Sequence, residues 1–151
     1  MFRLTKKMIY ALEAVVDIAY NGRVNPVQSR DITQRQGIPQ RYLEQVMQQL
    51  VRANILKGVR GPKGGYFLAR ERRRISVGEI VRVINELDAK SSKSEFVSKS
   101  EMGRKVINPL LDELNAEIMG KLDSITLQDL CEQASLEGVE SDADKGFVFT
   151  I

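Results

Sequence analysis

Six hydrogen-bonding side chains between residues 40 and 48 could contact the base edges of double-stranded DNA. Arginine can pair with guanine through two hydrogen bonds, glutamate can accept from cytosine N4, and glutamine suits adenine. Apolar residues recur among them at helical spacing, so the polar side chains share the outer face of one predicted helix. An ordinary amphipathic helix would show the same pattern. The candidate residues are Gln40, Arg41, Tyr42, Glu44, Gln45 and Gln48.

A glycine-rich segment at residues 60–65 could supply a second set of contacts. Its glycines let the backbone approach a groove closely, and its two cations could enter the minor groove or pair with phosphate. The segment is not a nucleotide-binding phosphate loop, because a strand rather than a helix is predicted to follow it. The candidate contacts are Arg60, Gly61, Lys63 and Gly64.

Side chains suited to catalysis or metal binding are scarce. The sequence contains no histidine and one cysteine, Cys131, which excludes thiol–imidazole catalysis and the common zinc sites. The carboxylates Glu13, Asp17, Asp31 and Glu44 fall on separate predicted elements and suggest no acid–base pair. We therefore expect no enzyme activity, no catalytic residue, no metal and no cofactor. Cys131 is interpreted as a small buried residue of the last helix.

The elements around the polar residues predict a helix-turn-helix. Thr5 is expected to cap a first helix. Ser29 is expected to cap a short second helix that Gly37 ends, and Pro39 to open a longer third helix that carries the candidate base contacts. A short helix, a tight turn and a longer helix in this order are typical of the motif.

A hairpin and further helices follow. Strands at 55–59 and 66–68 flank the glycine-rich turn, and the sequence from Ser76 to Glu79 predicts a capping box that opens a fourth helix. We expect a winged helix-turn-helix at 1–87, a polar linker loop at 88–104, C-terminal helices at 105–135 and a mostly disordered tail at 136–151. The fold class is therefore mainly α with a small β-hairpin.

Charge is unevenly distributed along the chain. Residues 1–74 hold 15 Lys/Arg and 5 Asp/Glu, a net of +10, whereas residues 75–151 hold 8 and 15, a net of −7. A basic half is typical of a polyanion binder, because its cations displace counterions from phosphates. A solvated basic face would have the same composition. No apolar run reaches the roughly 20 residues of a membrane helix, so we expect a cytoplasmic protein with no membrane partner.

Several segments together resemble the Rrf2 family of bacterial transcription regulators, in particular its IscR-like members. They are FRLTKKMIYALEAVVDIA, then IPQRYLEQVMQQLVRANILKGVRGPKGGYFLARERRRISVGEIV, and more loosely ITLQDL near residue 125. Members of the family are dimeric winged-helix repressors or activators. The resemblance implies a homodimer that binds double-stranded DNA, with base contacts from Arg41, Tyr42, Glu44 and Gln45 and a minor-groove wing around Arg60.

The resemblance also implies two further sets of residues. One set lies near the DNA backbone and consists of Arg3, Thr5, Lys6, Gln28 and Ser29. The other lies on a long C-terminal dimerisation helix that starts near Pro109. Its candidate interface residues are Ile107, Leu110, Leu111, Leu114, Ile118 and Leu122.

One departure from the family concerns its cofactor. Cluster-binding members carry three linker cysteines followed by a histidine, and thiolates are what hold an iron–sulfur cluster. The corresponding positions here fall at or near Lys93, Lys99 and Lys105, with Asn108 in place of the histidine. Ammonium groups repel iron. We therefore expect no cluster within one subunit.

The leading hypothesis is a cluster-free regulator that binds a roughly palindromic operator as a dimer. A protein-interaction scaffold built on a winged helix is the alternative, and negligible affinity for random duplex at low salt would favour it. An unknown effector or a partner protein acting through the linker, and constitutive binding, are equally compatible with the sequence.

Overall fold

The structure is a computed structural model that describes residues 2–91 and 98–142. Within these ranges the chain forms six α-helices and one antiparallel β-hairpin, which confirms the mainly helical, winged fold class. None of the described helices is long and apolar enough to cross a membrane. The elements are α1 Lys6–Asn21, α2 Ser29–Gln36, α3 Gln40–Arg52, β1 Leu56–Val59, β2 Gly65–Leu68, α4 Val77–Ser91, α5 Asn108–Asp123 and α6 Leu127–Leu136.

The first three helices begin and end close to the predicted residues. The Thr5 side chain accepts a hydrogen bond from the Met8 amide at 3.2 Å, which confirms its capping role. Gly37 adopts a left-handed conformation with φ of 66°, which lets α2 end in a tight turn. The predicted cap at Ser29 is wrong by one residue: Gln28 occupies the cap position and makes no side-chain capping bond. Pro39 likewise precedes α3 rather than starting it.

One hydrophobic core holds the described helices together. Ala11, Ala14, Val15 and Ile18 line the inner face of α1 and are fully buried. The apolar face of α3 packs into the same core, as predicted from its periodicity. The most deeply buried large side chains are Met8, Ile18, Ile32, Ile38, Leu43, Met47, Leu50, Ile55, Leu56, Ile75, Ile80 and Ile84.

The β-hairpin is tied to the segment before α2. Strands β1 and β2 pair in the register Leu56 with Leu68 and Lys57 with Phe67. Val27 and Tyr66 exchange two backbone hydrogen bonds of 2.8 and 2.9 Å. A Cβ atom on Gly65 would collide with the Val27 carbonyl, so this approach requires glycine. The hairpin base is therefore fixed against the helix-turn-helix.

Helix occupies both ends of the stretch expected to be a linker loop. Helix α4 runs on to Ser91, because no helix-breaking residue follows its apolar stripe. Helical structure resumes at Glu101 and continues through a π-helical turn, Gly103–Ile107, into α5. An ion pair of 2.7 Å between Glu101 and Lys105 supports this turn. Lys93 lies outside the described residues.

Only half of the predicted capping box at α4 forms. The Ser76 hydroxyl accepts from the Glu79 amide at 3.2 Å, as expected. The Glu79 carboxylate instead binds Arg70 at 2.6 Å, because the guanidinium is a stronger partner than a backbone amide.

The C-terminal helix packs back on the first domain. Thr126 and Asp129 form a complete capping box at the start of α6, which buries Leu127 and Cys131 in the main core. Cys131 is 2 % exposed, which confirms its interpretation as a buried apolar residue. Residues 139–142, expected to belong to a disordered tail, bind α1: the buried Ser141 hydroxyl donates to the Tyr20 carbonyl at 2.8 Å. The last nine positions of that tail lie outside the described residues.

Candidate nucleic-acid interface

The outer face of α3 is a polar surface that the rest of the described chain does not cover. All six candidate base-contacting residues are exposed, whereas Leu43, Met47 and Leu50 on the opposite face are at most 1 % exposed. This division confirms the predicted orientation of the helix. Arg41, Gln45 and Gln48 make no hydrogen bond or ion pair with a described residue, so their polar groups are available to a ligand.

Gln40 and Glu44 are engaged with each other at the start of α3. The Gln40 amide donates to the Glu44 carboxylate at 3.1 Å, and the Thr33 hydroxyl of α2 lies 3.0 Å from the Gln40 carbonyl oxygen. Gln40 therefore links the two helices of the motif and orients Glu44. The carboxylate is thus held by a neutral donor rather than by Arg41, which leaves the guanidinium free.

Tyr42 brings the first turns of α1 beside the start of α3. Its ring lies 6.1 Å from the ring of Tyr10, and 49 % of its surface remains exposed. Lys6 precedes Tyr10 by four residues and therefore shares its face of α1. Arg3 and Lys6 are exposed, whereas the Thr5 hydroxyl is used in capping.

A cleft of about 580 Å³ separates the start of α2 from the hairpin turn. Gln28 and Ser29 line one side, and the wing residues Arg60, Gly61 and Gly64 line the other. Gly61 has φ of 114°, which a residue with a side chain rarely adopts. Lys63 is exposed in the turn but does not line the cleft.

Arg30 is a cation that sequence reasoning missed. It is exposed on the first turn of α2 and lines the same cleft, facing the wing. Its position directly after Ser29, in the predicted first turn of α2, was the available signal. Helix N-termini of this kind attract anions.

An ion pair between the buried Asp17 and the partly exposed Arg35 fixes α2 on α1. The Asp17 side chain is fully buried and accepts hydrogen bonds from Arg35 at 2.7 and 2.9 Å and from Gln36 at 2.9 Å. The hydrogen bond to Asp17 raises the pKa of the Arg35 guanidinium. Arg35 also binds Asp142, which follows α6, at 2.6 Å. No local sequence pattern predicts these pairs, because their members are far apart along the chain.

Helix α5 presents an apolar surface to solvent. None of its residues is buried, and its large apolar side chains step along one side at intervals of three or four residues. Five candidate interface residues are 40–48 % exposed, and Leu122 is half-buried against the core. The five are Ile107, Leu110, Leu111, Leu114 and Ile118.

A family model and several known proteins match this chain. The Rrf2 model, described as an iron-dependent transcriptional regulator, covers residues 4–133. The HTH-type transcriptional regulator IscR of Klebsiella pneumoniae (strain 342) is 36% identical over 129 residues, which span 85% of this chain and 78% of the relative. The corresponding IscR of Escherichia coli O1:K1 / APEC is also 36% identical, over 79% of its length.

Solved structures of similar regulators share the fold. IscR of T. potens superposes with a TM-score of 0.73 at 35% identity, covering 91% of this chain and 92% of its own. CymR, described as the global cysteine regulator of B. subtilis, superposes with a TM-score of 0.66 at 30% identity, covering 88% and 98%. These similar proteins are transcriptional regulators and not enzymes.

Proposed function

This chain belongs to the Rrf2 family and is a DNA-binding transcriptional regulator, and we propose that it acts as a homodimer on a roughly palindromic operator without an iron–sulfur cluster. In this proposal residues 1–87 recognise DNA and residues 105–135 form the dimer, in the bacterial cytoplasm. The observation that carries it is the pairing of two uncovered surfaces in one chain: a polar face on α3 beside a basic wing, and an apolar face on α5.

The exposed groups of α3 support sequence-specific recognition. The free guanidinium of Arg41 suits the N7 and O6 atoms of guanine, and Gln45 and Gln48 suit adenine. Glu44, oriented by Gln40, is matched to the amino group of cytosine. Tyr42 adds an exposed ring for contact with a thymine methyl group.

Contacts to the DNA backbone flank that face in the proposal. The α2–wing cleft is lined by Arg60 of the wing and by the first turn of α2, so a phosphate there would contact a cation as well as backbone amides. Lys63 is exposed in the adjoining turn. Arg3 and Lys6 extend the basic surface on the other side of Tyr42. Such contacts set the register of the protein on the duplex but carry no sequence information.

The apolar face of α5 supports the homodimer. A row of large apolar side chains left half exposed is unusual on a monomer and typical of an association surface. A second copy of this chain presents the same apolar face, because a two-fold axis brings the same surface of each copy together. Two recognition helices would then lie about 34 Å apart and contact half-sites with inverted symmetry.

The available donors do not fit an iron–sulfur cluster held by one chain. Cys131 is the sole cysteine of the sequence and histidine is absent. Burial raises the pKa of the Cys131 thiol, which disfavours the thiolate that iron requires. Lys105 is paired with Glu101, and no group of three His, Cys, Asp or Glu side chains within the described residues could hold a metal ion. The chemistry of these side chains therefore supports a cluster-free regulator.

Selection of bound sequences from random duplexes tests specificity and symmetry together. We expect an enriched inverted repeat whose half-sites are separated by about one helical turn or a multiple of it. A motif without inverted symmetry, or no enrichment, would contradict the proposal. A visible spectrum of protein purified without oxygen tests the cluster separately, since iron–thiolate absorbance would overturn the cluster-free assignment.

A further inference from the structure

A second, basic cleft lies apart from the α2–wing cleft. It has a volume of about 610 Å³ and is formed by the end of α1, the base of the hairpin and the turn after β2. It shares no lining residue with the α2–wing cleft and includes none of the candidate DNA contacts. Its charged lining residues are Arg23, Lys57, Arg70, Glu71 and Arg72.

Three of the four cations in this cleft are not paired with a carboxylate, and two of them are exposed. Arg23 and Lys57 are exposed, and neither makes a hydrogen bond or ion pair with a described residue. Arg70 is already bound to Glu79 at 2.6 Å. The carboxylate of Glu71 is bound by Arg73 at 2.6 Å, and that hydrogen bond lowers the pKa of Glu71. The lone acid of the described lining is therefore neutralised from outside the cleft.

Arg72 is the third cation that is not paired with a carboxylate, and one of its donors is buried. Its Nε group donates to Gln128 at 2.5 Å, but the NH1 group is buried without a hydrogen-bond partner. The Cys131 thiol lies beside this guanidinium. Burial raises the pKa of the thiol, although the positive charges of Arg72 and Arg23 act to lower it. A neutral thiol is a weak acceptor. Because the NH1 group is buried, Arg72 contributes its positive charge to the cleft rather than this donor.

Phe67 adds an apolar wall beside the cations. It pairs directly with Lys57 across the hairpin, so the two side chains share one face of the sheet, and both line the cleft. The ring is half-buried. A ligand that carries both an organic part and a charged group would meet complementary surfaces here.

We propose that this cleft binds a small organic oxyanion with at least two negative charges, typified by a phosphorylated metabolite. Guanidinium groups bind phosphate through paired hydrogen bonds, and the Lys57 ammonium adds a point charge. DNA is disfavoured as the occupant, because Arg72 is partly buried and the candidate recognition face on α3 does not border the cleft. The assignment stands on the cleft alone and does not depend on the proposed dimer or operator.

Calorimetric titration with inorganic pyrophosphate in a phosphate-free buffer tests the site on the full chain. The wild-type protein is expected to bind one pyrophosphate per chain in this cleft, and Arg60→Ala, which alters only the α2–wing cleft, should leave that binding unchanged. Arg23→Ala and Lys57→Ala should each weaken binding by about tenfold, since each removes one charge-assisted contact. Arg52→Ala is the matched control: it removes an exposed cation at the end of α3 that does not line the cleft, and it should leave binding unchanged.

Three outcomes would overturn the proposal. One is no binding of pyrophosphate at millimolar concentration by a wild-type protein that melts cooperatively. Another is an equal loss in Arg52→Ala, which would indicate attraction by net charge. The third is a loss of random-duplex affinity in Arg23→Ala as large as its loss for pyrophosphate, which would make the cleft part of the DNA surface. None of these results depends on operator recognition, which the Arg41 variant tests separately.

Discussion

Helices α3 and α5 are both amphipathic, yet their apolar faces have opposite environments. In α3 the residues Leu43, Met47 and Leu50 are at most 1 % exposed, and the polar face is free. In α5 the residues Leu110 and Leu114 are 48 % and 45 % exposed, and none of the helix is buried. The apolar face of α3 is covered by its own chain, whereas no described residue buries the apolar face of α5. The same sequence pattern therefore supports a DNA-binding face in one helix and an association face in the other.

Polar contacts help to attach α5 to the rest of the chain, beside the apolar packing of Met119 and Leu122 on the core. The Phe2 amide donates to the Asn115 side chain at 2.8 Å, and Arg82 of α4 binds Asp123 through two hydrogen bonds of 2.6 and 2.7 Å. Gly78 lies so close to Asp123 that a Cβ atom there would collide with the carboxylate. These contacts help to hold the helix in place while Leu110 and Leu114 remain exposed.

A charge on the apolar face of α5 should have the largest effect. Leu114→Asp would bury a carboxylate at the proposed interface, and an unpaired buried charge costs several kcal/mol. We expect a monomer in sedimentation, and operator affinity lower by about 100-fold or more, because half-site binding loses the second contact. Analytical ultracentrifugation and a mobility shift on the selected operator measure the two effects.

Ala116→Asp provides the matched control for that variant. Ala116 is exposed on α5, and a two-residue step puts it on nearly the opposite side from Leu114. The substitution introduces the same charge away from the apolar row, so the dimer should persist. A wild-type protein that is already monomeric, or a dimer that survives Leu114→Asp, would contradict the assignment of the apolar face of α5 as an association face.

Periodicity explains how much of this comparison the sequence could predict. Helices α1 to α4 and the hairpin were predictable, because their apolar spacing and the turn at Gly37 are local signals. The pair between Asp17 and Arg35 and the contact of Ser141 with Tyr20 join residues far apart in sequence, so they leave no periodic pattern. The same limit applies to the basic cleft, because Arg23, Lys57 and Arg72 converge only in the folded chain.

The free face of α3 should give the next largest effect. Arg41→Ala is expected to weaken operator binding by about 1–3 kcal/mol, or roughly 5- to 150-fold, and to leave random-duplex binding less affected. Fluorescence anisotropy with both duplexes at one salt concentration measures the difference. Arg52→Ala removes a cation from the other end of the same helix and should lower both affinities slightly and equally. Equal losses on both duplexes for Arg41→Ala would contradict base recognition.

A backbone contact beside α3 should give a smaller and uniform effect. Lys6→Ala is expected to weaken operator and random duplex alike, and to reduce the slope of log affinity against log salt by about 1, because one phosphate contact is lost. Lys99→Ala, which removes an exposed cation on the N-terminal side of α5, serves as the control and should leave the slope unchanged. A loss of affinity for the operator alone would indicate that Lys6 contacts bases rather than the DNA backbone.

The polar attachment of α5 should give the smallest effect, visible as a pH dependence of stability. The hydrogen bonds from Arg82 lower the pKa of Asp123, so ionised Asp123 stabilises the fold above its ordinary pKa and this contribution is lost as pH falls through the lowered value. Asp123→Asn should therefore reduce the urea midpoint slightly at neutral pH, and the difference from wild type should shrink as the pH falls below the ordinary pKa of an aspartate. Asp112→Asn, an exposed carboxylate of α5 with no ion pair to a described residue, should match wild type throughout. Identical profiles for the two variants would mean that the apolar contacts of Leu122 and Met119, rather than the ion pair, attach α5 to its own chain.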